Sequence, residues 1–191
     1  MDEKKISGGS FIGVIILTII SIIVAYAKIS LTLSHYLTIL TGIELATFVL
    51  VFLFVAYYAI SGYKKPHGNL MRYMFGLFAL NCLCLALNEV ETIYDSMYYK
   101  LIFIGIAAIV AILSVYVGGR LNKLKENLVI IIAITLLLAF RCVYHCLTDR
   151  VVFGALQILM NFSTFIVWID IVFAYVLRYK EHKEAGLVDN K

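Results

Sequence analysis

Charge and proline are what this sequence has least of. Asp, Glu, Lys and Arg together supply 15% of its 191 residues, and proline occurs once, at Pro66. A soluble domain carries about 25% charged residues, so composition excludes a water-soluble fold. The one proline lies in the polar stretch KKPHGN, residues 64–69, which leaves every apolar segment without a proline kink. No polar stretch is long enough to hold a separate catalytic domain, so any chemistry takes place in or at a bilayer. Motifs are missing too: there is no HExxH, no CxxC and no glycine-rich nucleotide loop. Cys82 and Cys84 point to different sides of one helix, and Cys142, His145 and Cys146 do not reproduce a tetrahedral ligand set. All four cysteines read as small apolar residues, and neither a metal nor another cofactor is expected. His35 and His145 form a single candidate pair for haem, at helix ends, where axial ligation across a planar cavity has little support. His145 with Glu44 has the elements of a general base, but nothing identifies a nucleophile, so the sequence does not point to an enzyme.

What the chain has in quantity is apolar length. It is 63% hydrophobic with a mean hydropathy of +0.97. Six segments stand out, at about 11–27, 36–60, 71–88, 98–118, 127–147 and 151–177, each near the ~20 residues a helix needs to cross hydrocarbon. Alternating strand-like patterns are absent, and backbone groups in lipid must pair internally. The expectation is an all-α integral membrane protein, a six-transmembrane-helix bundle forming a single polytopic domain over residues 1–191. Orientation follows from the basic residues. The N-terminal stretch, the second and fourth links and the C-terminal stretch carry twelve Lys and Arg, against three (Lys28, Lys100, Arg150) on the other side. Both termini are therefore expected in the cytoplasm of a plasma (inner) membrane protein, with the first span acting as an uncleaved signal anchor. The basic residues serve topology rather than nucleic-acid binding.

Arg141 is the residue that asks for a role, since a charge at the centre of a lipid-facing helix costs about 2.5–3.5 kcal/mol on insertion scales. By depth it shares the outer leaflet with Tyr144 and His145 on span five, and with Thr38, Thr41 and Glu44 on span two. On span three Asn81, Cys84, Asn88 and Glu91 recur at steps of three and four along one face, with Glu89 just off it. Asn161 lies on the outer side of the middle of span six. Arg141 is expected to face the interior, with Glu44 as partner and Glu89 or Glu91 as rivals. These groups outnumber what one ion pair requires, which suggests a wet cavity, its mouth bordered by Tyr94, Tyr98, Tyr99, Phe140, Tyr144 and Phe162. Most such tyrosines also suit the aromatic belt of a membrane interface. Asp170, on the opposite face of span six from Asn161, reads as a proton or cation ligand, a helix-to-helix hydrogen-bonding group near Ser163, or a subunit contact.

Small residues recur at Ala107, Ala111, Ser114 and Gly118 on span four and at Thr18, Ser21 and Ala25 on span one, stripes that allow close helix approach. Split three plus three, the chain enters from opposite sides and aligns Glu44 with Arg141 and Asn81 with Asn161, a weak inverted repeat. In length, span count and the outward-facing cavity just inferred, the chain resembles the substrate-binding subunits of energy-coupling-factor vitamin importers. In those proteins the first helix carries an Ala-x-x-x-Ala contact; here the nearest match, Ala107 to Ala111, is in the fourth span.

The function expected is binding of a small polar or zwitterionic solute for uptake or sensing, with a partner subunit. The ligand-binding candidates are Arg141, His145, Tyr144, Glu44, Thr41, Asn88, Glu91 and Asn161. Arg141 and His145 would hold an anionic group, and Glu44 and Glu91 would balance charge or accept a cationic one. The alternatives are a non-transporting accessory or assembly subunit, and an intramembrane enzyme or haem protein. The expected partners are the lipid bilayer, a small molecule and a membrane protein. If the basic residues set topology, cysteines introduced one at a time into the second and fourth links will resist an impermeant thiol reagent applied outside intact cells. One placed beside Lys100 will react.

Overall fold

The computed structural model describes residues 8–35, 39–61, 68–91, 97–148 and 154–184. They form six helices: α1 (Gly8–His35), α2 (Ile39–Ser61), α3 (Gly68–Glu91), α4 (Met97–Gly119), α5 (Leu124–Thr148) and α6 (Gly154–Glu184), with no strand among the described residues. Four contain stretches long and apolar enough to cross a membrane: Asn69–Leu87, Met97–Gly119, Leu124–Leu147 and Phe162–Lys180. The apolar stretches described in α1 and α2 are shorter, Ile16–Ser30 and Thr41–Phe54. Several helices overrun the apolar segments that announce them. A helix satisfies its own backbone and has no reason to end where hydrocarbon does. The overrun matters most in α1, which continues past Ala27 to His35 and so takes Lys28 into the helix.

Consecutive helices pack side by side, α1 closes against α6, and α6 also reaches α2 and α3. That makes α6 the helix around which the others gather. Its Trp168, Ile171 and Tyr175 are wholly buried, as are Phe75 and Phe78 of α3. Phe75 meets Trp168 and Tyr175 edge-on, with ring centroids 6.1 and 5.8 Å apart, and Phe78 lies 5.2 Å from Trp168. Each such pair contributes about 0.5–1.5 kcal/mol beyond the area it covers. The indole and phenol each find a partner on α5. Trp168 Nε1 donates to Thr135 Oγ1 at 2.9 Å, and Thr135 donates on to the Ile131 carbonyl at 2.7 Å. Asn127 Nδ2 donates to the Tyr175 hydroxyl at 3.0 Å and to the Arg120 carbonyl at 2.8 Å, stapling the tight α4–α5 link to α6.

The outer surface is apolar where a soluble protein would be charged: Ile112, Val129 and Leu136 are each about two-thirds exposed or more, at 69, 74 and 65%. A continuous apolar exterior of this kind suits lipid. In such a solvent helices associate through close packing, because hydrocarbon offers no hydrophobic penalty to escape.

The closest packing is between α3 and α4, the most extensively joined pair. Ala107, Ala111, Ser114 and Gly118 of α4 are all buried, so the small-residue stripe of span four serves contact within the chain. The stripe of α1 is only partly so used: Ser21 and Ala25 are buried, whereas Thr18 is exposed. A Cβ placed on Gly118 would stand 2.8 Å from the Cβ of Phe75, a side chain that cannot withdraw because Trp168 and Tyr175 hold its ring. Gly118→Val is therefore expected to destabilise the protein by about 1–3 kcal/mol, measured as a lower unfolding midpoint in mixed micelles. Gly119→Val, with nothing near its added Cβ, is the control that leaves the midpoint near wild type.

Candidate functional site

The central feature is an ion pair inside the bundle. Lys28 of α1 donates from Nζ to Glu44 Oε1 of α2, with both side chains almost completely buried at 6 and 8% exposure. The ammonium also lies 5.3 Å from the centroid of the Phe48 ring, whose negative face adds a second attraction. Around this pair the polar groups are matched. Thr47 Oγ1 donates to the Glu44 carbonyl at 2.9 Å, and Asn81 Nδ2 of α3 donates to that carbonyl at 3.0 Å and to Thr47 Oγ1 at 3.1 Å. One cluster thus ties α1, α2 and α3 together.

Lys28 is the residue that the sequence-based expectation missed. It was counted with the basic residues of the links, and Arg141 was expected on Glu44. The structure places Lys28 on Glu44. Helix α1 is longer than its apolar run, and the link to α2 is short enough to make the two helices neighbours. A signal was present, since Lys28 continues the small-residue stripe at Ser21 and Ala25 by one further step of three.

Arg141 is half-buried on α5. Its Nε is buried, so this part of the guanidinium is turned away from the surface.

One turn along α5, half-buried Tyr144 and His145 form an aromatic group about Phe103 of α4. The ring centroids of Tyr144 and His145 lie 4.7 and 5.0 Å from that of Phe103, and Phe140 lies 6.3 Å away. Tyr99 joins through Tyr144 at 5.6 Å, and Tyr98 through Tyr99 at 6.4 Å. Four residues of the expected aromatic mouth, Tyr98, Tyr99, Phe140 and Tyr144, are thus brought together, around a phenylalanine that the sequence did not single out. Tyr98, Tyr99 and Phe140 are largely exposed, as belt residues are.

Thr41 is half-buried one turn before Glu44, and Asn81 and Cys84 share the buried side of α3. The side chains of Asn88, Glu89, Glu91 and Asn161, and that of Tyr94, lie outside the described residues. Asp170 is buried on α6 and accepts a hydrogen bond from Ser21 Oγ of α1. Of the roles read for it, a helix-to-helix hydrogen bond is present, with Ser21 as the donor. Among the described residues, no three His, Cys, Asp or Glu side chains are grouped to hold a metal ion. Compared with known proteins, the chain matches no family model, no curated protein and no solved structure.

Breaking a buried pair by removing one partner typically costs about 3–5 kcal/mol, whereas replacing both by apolar groups is often neutral. Lys28→Met and Glu44→Met are each expected to lower stability by about that amount, and the double variant to recover most of the loss. Unfolding titrations of the four proteins, read as a double-mutant cycle, measure the coupling.

Proposed function

We propose that all six helices cross the plasma membrane with both termini in the cytoplasm, and that the protein binds a small polar or zwitterionic solute from the outer side, for uptake or sensing. The span assignment is supported by length: α1 and α2 have 28 and 23 residues, enough at ~1.5 Å per residue to cover a ~30 Å core. Removing buried Lys28 from the basic residues of the outer links leaves only Lys100 and Arg150 on that side, which sharpens the asymmetry.

The observation that carries the binding proposal is that half-buried Arg141, Tyr144 and His145 follow one another within about a turn of α5, beside the aromatic group about Phe103. Arg141 and His145 are four residues apart on α5 and so project from one side of it. They would hold the anionic group of the solute. Glu44, already neutralised by Lys28, would orient the cationic end through the pair rather than as a free carboxylate, and Tyr144 and Thr41 would supply hydroxyls. Asn88, Glu91 and Asn161 would complete the site from α3 and α6. With no nucleotide-binding motif in the chain, uptake would depend on a partner subunit or an ion gradient.

A second reading, an accessory or assembly subunit of a membrane complex, is favoured by one specific observation. The Lys28–Glu44 pair and Asn81 satisfy one another within the chain and join three helices, which is what a structural lock does. Arg141→Ala separates the readings. In the binding reading, native mass spectrometry from mild detergent finds a small molecule on the wild type that the variant fails to retain, while its melting temperature is kept. Loss of ~1.4 kcal/mol or more of binding energy corresponds to at least tenfold weaker affinity. A wild type that retains no small molecule, with a variant that loses only fold or a protein partner, supports the accessory reading.

A further inference from the structure

Asp170 sits close to the middle of the apolar stretch Phe162–Lys180, with 6% of its surface exposed. The one contact described for its carboxylate is the Ser21 hydroxyl. Charged residues do occur on the helices packed against α6. Lys28, Glu44 and Arg72 lie on α1, α2 and α3, and Arg141, Lys125 and Glu126 on α5. On α6 itself Arg178 is buried two turns beyond Asp170, with Lys180 and Lys183 farther on. The ion pairs described are Lys28–Glu44, Arg120–Glu126 and Lys123–Glu126, and none of them includes Asp170. Buried carboxylates in a medium of low polarity are paired with a positive charge. No basic side chain is described on Asp170, and a proton or another small cation would balance its charge.

The surroundings suit such an ion. Helices α1, α2 and α6 touch pairwise and enclose a seam. On α1, Ser21 and Lys28 are seven residues apart, two turns along the same side, or about 10 Å. The seam therefore carries the Asp170–Ser21 contact near the middle of the bundle and the Lys28–Glu44 pair two turns farther along α1. On α6, Ser163 and Thr164 are also buried, about two turns before Asp170. Transporters that run on ion gradients commonly hold the coupling ion near the midplane.

We propose that Asp170 and Ser21 form the exchange site for a small monovalent cation, a proton or a sodium ion, whose gradient drives the solute movement. The inference rests on the uptake reading for its purpose, but not for its test. As a proton site, the carboxyl O–H bond breaks, the proton passes to water and the electron pair stays on the carboxylate. As a sodium site, sodium displaces the proton: the carboxyl O–H bond breaks, the proton passes to water, and the metal ion takes its place beside the carboxylate, leaving again as the proton returns.

The test is infrared spectroscopy of the full chain in lipid nanodiscs with no solute added. The expected result is a protonated-carboxyl stretch, absent from Asp170→Asn, that vanishes reversibly in one of two ways. Loss as pH is raised at constant sodium identifies the proton. Loss when sodium chloride replaces choline chloride at constant pH identifies sodium. Ser21→Ala keeps the carboxyl and is expected to shift the midpoint of that loss severalfold in proton or sodium concentration, so the site is assigned even if Asp170→Asn does not fold. A carboxyl signal indifferent to pH and sodium, one that Ser21→Ala leaves unmoved, or the absence of any such signal overturns the proposal. Because no solute is present, none of these outcomes bears on whether Arg141 and His145 bind one.

Discussion

The arrangement of the first three helices depends on one buried contact, the ammonium of Lys28 on the carboxylate of Glu44. Two charges withdrawn from water are tolerable only together, and only when the remaining polar atoms are also matched. The Phe48 ring faces the cation, while Thr47 and Asn81 occupy the carbonyl of Glu44. This sets the register of α1 against α2 and of α2 against α3 more narrowly than apolar packing would, because a slide by one turn would strand a charge.

The other half of the molecule is organised differently. Around α6 the contacts are aromatic, with the Trp168 and Tyr175 rings against Phe75 and their polar tips turned to α5. The two regions divide the work of specifying a fold in lipid, where the expulsion of water does not distinguish one helix face from another. Ionic and amide contacts select partners at one end, and interlocking rings with single hydrogen bonds select them through the centre.

This division explains what could be read from the sequence. The apolar runs announce their helices plainly, because hydrocarbon demands both length and apolarity. The ends are less legible: α1 and α6 continue into polar sequence, and it is in such an extension that Lys28 lies. Arg141 buries its Nε, as the cost of charge in lipid favours. That Lys28 reaches Glu44 depended on which helices are neighbours, and depth alone does not encode that. The aromatic core was the least visible part. Phe75, Phe78 and Phe103 are apolar residues among apolar residues, and in helices that are hydrophobic all round no periodic contrast marks the face that turns inward.

The contact of Gly118 with Phe75 bears on how such a molecule could move. Where one helix backbone rests directly on the first side-chain carbon of another, neither can roll without collision, so α3 and α4 form a rigid strut. The neighbouring α1 and α2 touch far less extensively and are held by a charge pair instead. That junction holds its register only while the pair is intact, so its rigidity depends on what ions or dipoles arrive beside the two charges.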